Sequence, residues 1–447
     1  MKLLNLRLGF ACNSSSSHSL LLDEKLVTDE WSEFGWQGFQ IQSKDIAYYL
    51  LAAMQPDYEQ PARYSPEAMR IALGLTELPP DHKDGNVDHQ SCPIFVLDPK
   101  SGLIDPEFVK DLRTWFQTRK AGVHGGNDNN EYESPPAGDF KRPYSTDGND
   151  MQGRKSGDIW AAIDPKDGTR YRFTFEDNPR PATSPELVDL KITGYCTYGC
   201  KYCYQGSTKL GQHASMENIR LVLDDLSSQR VLEVAIGGGE PTQHPEFRSI
   251  VQYARARGLI PNVTTRNLKF LREFVAGEWP EIGGIAFSID DNAGAEKVAG
   301  AVLLADQAMK QRITAQIVDK TVAYKTYLDR MLDTLNAASV DVTWLGYKST
   351  GFGQKYTDDK WTKQDWSFMA DVAIRDEFRS RISVDTAMIS EYGSEFQGKY
   401  GAYKLTATEN EGVTSCYVDA VTLQHGISSY HLESFKSYRS GMKLISQ

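Results

Sequence analysis

Between Leu187 and Leu345 the chain repeats one unit: a short apolar run of strand length, then an amphipathic stretch of helix length. The runs are Leu187–Thr193, Val231–Ile236, Leu259–Thr265, Gly284–Ile289, Ile313–Val318 and Val340–Leu345. The intervals read as helices at Met216–Ser228, about 244–257, Leu268–Val275, Ala293–Met309 and Ala323–Leu335, with Ser215 placed to cap the first. Parallel strands need a long crossover, which a helix supplies. The alternation therefore predicts an α/β sheet. Ligand-binding groups in such folds gather at the carboxyl ends of the strands.

The first strand runs into Leu190-Lys-Ile-Thr-Gly-Tyr-Cys-Thr-Tyr-Gly-Cys-Lys-Tyr-Cys-Tyr204, where Cys196, Cys200 and Cys203 stand in a Cys-x3-Cys-x2-Cys spacing. Closely spaced thiolates hold iron–sulfur clusters, and an ordinary [4Fe–4S] cluster takes four. A local set of three leaves one iron open, and an open metal position binds and activates small molecules. The cysteines alone also admit a zinc ion with His213 as fourth ligand. The second strand ends in Val234-Ala-Ile-Gly-Gly-Gly-Glu-Pro-Thr242. Glycines permit tight turns and close approach of backbone to a ligand. A plain strand-to-loop turn is the alternative.

Together these segments resemble the radical S-adenosylmethionine (radical SAM) superfamily. The resemblance implies a partial (β/α)6 barrel and two cofactors, a [4Fe–4S] cluster and S-adenosylmethionine. Cys196, Cys200 and Cys203 would hold the cluster and serve catalysis, with the open iron chelating the amino and carboxylate groups of S-adenosylmethionine. Reductive cleavage would give methionine and a 5′-deoxyadenosyl radical that takes a hydrogen atom from a substrate. Gly238, Gly239 and Glu240 would lie beside the methionine amino group, and Tyr202 by the adenine. Polar residues at later strand ends, Thr265, Ser288 and Gln316, would contact the rest of the cofactor; Arg266 and Asp290 stand beside them. Helix capping is the plain alternative for such residues. Lys348, after the sixth strand, is a candidate substrate contact or else a solvated loop lysine. Ferredoxin or flavodoxin is implied as electron donor. The substrate could be a peptide, a nucleotide or base, or a small metabolite. The rival reading is a non-catalytic scaffold with a structural zinc or cluster.

At 447 residues the chain has room for two or three domains. Its net charge of −11 argues against an extended nucleic-acid surface. No apolar run of about 18 residues is present, so no membrane span is expected. Six cysteines, three of them clustered, do not make a disulfide framework, and a reduced cytoplasm is the expected compartment.

Residues 1–180 read as a separate α+β lobe. It has helices at Ser43–Met54 and Pro106–Arg119, a polar Gly/Pro-rich loop at 128–150, and a hairpin at Asp158–Phe175 turning at Asp164–Gly168. The barrel is expected over 181–350 and a C-terminal extension over 351–447, with strands at Arg381–Met388 and Ser415–Gln424. Cys416 is expected to pack in a core. Cys12 and Cys92 are remote from it, and His82, His89 and His124 match no zinc spacing. Asn13–His18 reads as a polar turn or ligand loop.

Overall fold

The computed structural model describes residues 2–7, 11, 17–19, 152–174, 176, 178–319, 321, 325–355, 380–399 and 411–445. The expected helices at Ser43–Met54 and Pro106–Arg119, the loop at 128–150, and Cys12, Cys92, His82, His89 and His124 lie outside them. The chain divides into two compact units. One comprises Met1–Leu6, Leu22–Pro165 and Arg170–Pro181; the other comprises Arg7–Leu21, Lys166–Thr169 and Ala182–Gln447.

Strands β1 (Lys2–Arg7) and β2 (Ser17–Ser19) go to different sheets. The first sheet has the order β1-β5-β4-β3, with β3 at Gln152–Ser156, β4 at Ile159–Ile163 and β5 at Arg170–Thr174. The expected hairpin is β4–β5, antiparallel, with Trp160 stacked on Phe173 at 6.4 Å between centroids.

The second sheet is built on β6 (Leu187–Thr193), β7 (Glu233–Gly238), β8 (Ile260–Thr265), β9 (Ile285–Ile289), β10 (Ile313–Val318) and β11 (Asp341–Leu345). Each pairs in parallel with the next, as the alternation requires. Helix α1 (Met216–Ser228) shows why the intervals fold as they do. Ser215 accepts a hydrogen bond from the Asn218 N–H at 3.1 Å, and Ile219, Val222, Leu223 and Leu226 form one buried face. Helices α2 (Phe247–Ala256) and α3 (Leu268–Val275) bury Phe247, Phe270 and Phe274 in the same way.

The expected helix over Ala293–Met309 is two helices, α4 (Asn292–Ala301) and α5 (Gln307–Gln311). Asp306 breaks it by capping the second, accepting from the Met309 N–H at 2.7 Å. After β10, α6 (Lys325–Ala337) leads into β11. The strand expected over Arg381–Met388 stops at Asp385, giving β12 (Ile382–Asp385) and then α7 (Thr386–Lys399). Asp385 Oδ1 accepts from the Met388 N–H at 3.0 Å, an N-cap that ends the strand.

The sheet does not stop near residue 350. Strand β12 pairs in parallel with β11, and β13 (Ser415–Asp419) pairs in parallel with β6 at the other side. An ion pair from Lys191 to Asp419 at 3.0 Å joins β13 to β6. Strands β14 (Gln424–Gly426) and β15 (Lys436–Ser437) follow antiparallel. The tail then returns to α1, where Asp225 accepts from Tyr438, Ser440 and the Gly441 N–H. Of Asn13–His18, expected as a polar turn or ligand loop, Ser17 and His18 belong to the strand β2, with His18 opposite Val384 of β12. Strand β2 is the edge of the sheet, beyond β12, where a short polar segment can pair through its backbone.

Residues Arg7 and Ala11 belong to this second unit and sit at the amino ends of the strands. Ala11 packs with Leu187 and Ala235. The Glu233 carboxylate accepts from Arg7 Nη2, from the Ala11 N–H at 3.2 Å and from Asn262 Nδ2 at 2.9 Å. Among the described residues no helix is long and apolar enough to cross a membrane.

Candidate active site

Residues of β6 through β10, the loops after β6 and β11, and Tyr417 of β13 line one cavity of about 180 Å³. Strands that far apart in the order share a cavity because the sheet curls around it. Its rim is the loop after β6. Cys196, Cys200 and Cys203 all line the cavity from that loop and are partly exposed. Burial pushes the Cys196 and Cys200 thiols up.

The loop is fixed by backbone. Gly239 donates to Thr193 O at 2.7 Å and Glu240 to Tyr195 O at 2.9 Å, so the glycine-rich end of β7 is latched to the cysteine loop. That contact explains two of the glycines. Gly238 has φ +116°, and a Cβ there would lie 2.3 Å from Thr193 O; a Cβ on Gly239 would lie 2.1 Å from Tyr195 O. Gly237 differs, because its Cβ would meet nothing within 4 Å and would stand in the cavity. On the other side Phe352 donates to Cys203 O at 2.9 Å, and Thr350 Oγ1 to Tyr204 O at 3.0 Å.

Glu240 is buried at the end of β7. Its Oε1 accepts from Thr265 Oγ1 at 2.6 Å, Thr242 Oγ1 at 2.7 Å and the Thr242 N–H at 3.2 Å; its Oε2 accepts from the Arg266 N–H at 3.0 Å. Tyr202 donates to Asp290 Oδ2 at 3.1 Å, and the Arg266 guanidinium bonds both Tyr202 and, at 3.2 Å, Asp290. Burial raises the Tyr202 hydroxyl far above its usual range. This pins the residue before the third cysteine against the ends of β8 and β9.

The cavity brings together the three cysteines, Tyr202, Gly238, Gly239, Glu240, Thr265, Ser288, Gln316 and Lys348; His213, the alternative zinc ligand, does not line it. Arg266 lines it as well, whereas Asp290 reaches it through Tyr202 and Arg266. Lys348 is no solvated loop lysine. Its ammonium is buried 3.4 Å from Asp385 Oδ2, over the faces of Tyr204 and Tyr430 at 5.0 and 4.8 Å. Burial alone would lower it, but Asp385, Tyr204, Glu411 and Asp189 outweigh that and raise it. Cys416 is buried on β13 beside Tyr417, and burial pushes its thiol up.

Sequence reasoning missed the deeper wall: Asp189, Tyr204, Gln205, Ser207 and Tyr417. One signal was present. Leu187-Val-Asp-Leu-Lys-Ile-Thr193 puts charged residues at alternate positions of a strand in a parallel sheet, where continuous apolar runs are the rule.

The donor set fits a cluster better than a single zinc. A tetrahedral zinc draws its ligands to about 2.0–2.3 Å from one point. Among the described residues no three His, Cys, Asp or Glu side chains converge in that way. His213 is bonded through Nδ1 to Thr193 Oγ1 at 2.9 Å. In a cluster each thiolate takes its own iron, so thiols on one loop around an open cradle suit it. The bare Gly237 leaves room in that cradle.

Residues 190–302 match the model of the Radical SAM superfamily. Mycofactocin maturase MftC of Mycobacterium tuberculosis (strain CDC 1551 / Oshkosh) is 29% identical over 99 residues, which are 22% of this chain and 25% of the maturase. An S-adenosylmethionine-dependent nucleotide dehydratase of Selenomonas ruminantium is 28% identical over 174 residues, 36% of this chain and 60% of the dehydratase. The chain thus spans between a quarter and three-fifths of these two relatives. Among solved structures, Streptococcus suis SuiB superposes with a TM-score of 0.47 at 10% identity, covering 67% of this chain and 86% of SuiB. The match over 190–302 includes the three cysteines, Gly238–Glu240 and Ser288, so this part of the chain is a radical SAM domain.

Proposed function

We propose that the chain is a radical SAM enzyme, with Cys196, Cys200 and Cys203 holding a [4Fe–4S] cluster at the rim of the cavity and S-adenosylmethionine lying beneath them. The observation that carries this reading is the shared cavity: residues from β6 through β11, from the loops that follow several of them and from β13, remote in sequence, line the same space. When bound, the cluster and S-adenosylmethionine supply reductive cleavage of the sulfonium and abstraction of a hydrogen atom from a substrate. The chain's residues bind, orient and exclude water.

Glu240 keeps capacity for one more donor. Each carboxylate oxygen offers about two acceptor sites; Oε1 is fully taken by the Thr242 and Thr265 donors, whereas Oε2 takes one bond, from the Arg266 N–H. It is the candidate partner of the cofactor's ammonium. Thr265 and the Arg266 N–H set the plane of that carboxylate, while Ser288 and Gln316, opposite each other on β9 and β10, are candidates for the remaining polar groups. Tyr202, clamped by Arg266 and Asp290, offers a ring of fixed position to the adenine. An external low-potential reductant, ferredoxin or flavodoxin, and a cytoplasmic site of action complete the reading.

Anaerobic reconstitution tests it. The expected protein is brown, with about four iron and four sulfide per chain, and with dithionite it releases deoxyadenosine from S-adenosylmethionine. Cys200→Ala is expected to lose both the colour and the cleavage. Full iron content and cleavage in that variant, or a colourless wild type holding one zinc, would overturn the assignment.

A further inference from the structure

The deep wall of the cavity holds polar atoms that no group in the protein satisfies. Asp189 and Ser207 are 4% and 7% exposed, and Asp189 Oδ1, Ser207 Oγ and Gln205 Oε1 are buried without a hydrogen-bond partner. All three residues line the cavity. Buried polar groups in native structures are satisfied, so such orphans point to an occupant. Asp189 stands four residues before Thr193 on β6, about 13 Å along the strand at the usual rise. The cysteine loop and the Gly238–Glu240 turn lie at the other end of that distance. Asp189 therefore belongs to a different part of the cavity from the rim. Gln205, although on the loop after β6, is tied toward it, because its Nε2 donates to the Tyr204 hydroxyl at 3.0 Å and the Tyr204 ring lies 5.0 Å from Lys348 Nζ, the cation that acts on Asp189. Leu187, Ala11 and Ala235 form a buried apolar cluster toward the amino ends of these strands, and their side chains offer Asp189 no donor.

We propose that this deep wall is a substrate subsite that takes a small molecule by a primary ammonium group, held by Asp189 with Gln205 and Ser207 as the accompanying acceptors. The assignment of the occupant as substrate rests on the function proposed above; the recognition rests on the wall. An ammonium has three N–H donors, and three of the residues lining this cavity each hold one buried acceptor without a partner. Charge agrees. Glu411 and Asp385 act on Asp189 against one cation, Lys348, while Lys191, also on the cavity wall, is paired with Asp419 at 3.0 Å. Lys348 is drawn to Asp385 rather than to Asp189 Oδ1. The aromatic residues Tyr204 and Tyr417 complete the wall and suit the organic part of such a molecule. Burial, and then Glu411, raise the Asp189 carboxyl well above its ordinary value, and an incoming cation would restore its charge.

Three probes of one shape test this: benzylamine, benzyl alcohol and benzoate, titrated calorimetrically into reconstituted protein saturated with S-adenosylmethionine. Benzylamine is expected to bind at least about tenfold more tightly than benzyl alcohol, and benzoate not measurably, as a charge-assisted hydrogen bond requires. Asp189→Asn is expected to lose that preference while cluster absorbance and affinity for S-adenosylmethionine stay within about twofold; Ser207→Ala should lose a smaller part. Preference for benzoate, no binding of benzylamine, or equal binding by Asp189→Asn would overturn the proposal. So would weaker S-adenosylmethionine binding in that variant, because the orphans would then be cofactor contacts. The two readings fail separately. A colourless protein that takes benzylamine through Asp189 keeps the subsite and loses the radical chemistry. A brown, cleaving protein indifferent to benzylamine does the reverse.

Discussion

Two buried carboxylates, one inward step apart on neighbouring strands, are treated in opposite ways. Glu233 begins β7; Asp189 stands on β6 opposite Ala235, two residues further up the sheet. Glu233 is paired with Arg7 and takes two further hydrogen bonds, from Ala11 and Asn262. Asp189 has an oxygen with no partner. A buried ion pair that is hydrogen-bonded on its remaining lone pairs is a structural solution, costly to form and more costly to break. An unsatisfied carboxylate is costly as it stands, and persists where a ligand supplies the missing donor. Satisfaction of the carboxylate, rather than its burial or charge, separates Glu233, which with Arg7 and Ala11 plugs the amino end of this sheet, from Asp189 in its site.

The largest effect is expected at the plug. Glu233→Ala leaves Arg7 buried without its counter-charge, a change of about 3–5 kcal/mol. Thermal unfolding should fall by on the order of ten degrees, while deoxyadenosine release per folded molecule stays unchanged. A melting temperature within about two degrees of wild type would show that the Arg7–Glu233 pair is not what closes this end.

Glu240 is the intermediate case, satisfied on one oxygen and open on the other. Glu240→Gln replaces one oxygen by an amide nitrogen, so either the Arg266 N–H or the threonine donors face another donor. The bond to a charged ligand is lost as well. Affinity for S-adenosylmethionine should drop about ten- to a hundredfold, the equivalent of about 1.5–3 kcal/mol, with iron content retained. An unchanged dissociation constant would break the view that the free lone pair of Oε2 receives the cofactor.

The sequence made the rim legible and the deep wall not, and the reason is physical. The cysteine loop and the glycine turn are local: spacing within 15 residues of chain states what they hold, and the β/α period places them at strand ends. Strand positions were readable for the same reason, with Leu187–Thr193 and Ile313–Val318 found at their observed bounds. Errors came where one side chain overrode a pattern. Asp306 and Asp385 cap helices that apolar periodicity alone could not start. The deep wall sets Asp189 beside Tyr417, which come together through the pairing of β13 with β6. Long-range pairing of that kind leaves no local trace beyond the charged residue within a parallel strand.

The smallest effect is expected at Asp189, and its sign is the sharpest test of the comparison. The folded state raises the Asp189 carboxyl, first by burial and then through Glu411 and Asp385, with Lys348 opposing. A raised carboxyl contributes stability that is complete below the unfolded value of about 3.9 and is lost as pH rises through the folded value. Asn at this position cannot ionise, so it escapes that loss. Asp189→Asn should therefore melt within about three degrees of wild type near pH 5 and at or above it near pH 8, the difference growing with pH. Adding benzylamine should narrow the gap by stabilising the wild type alone, since a ligand shifts unfolding only for the protein that binds it. A wild type that is more stable than Asp189→Asn at pH 8 without any ligand would mean that the carboxylate already has its partner in the free protein. The distinction between a satisfied plug and an unsatisfied site would then disappear.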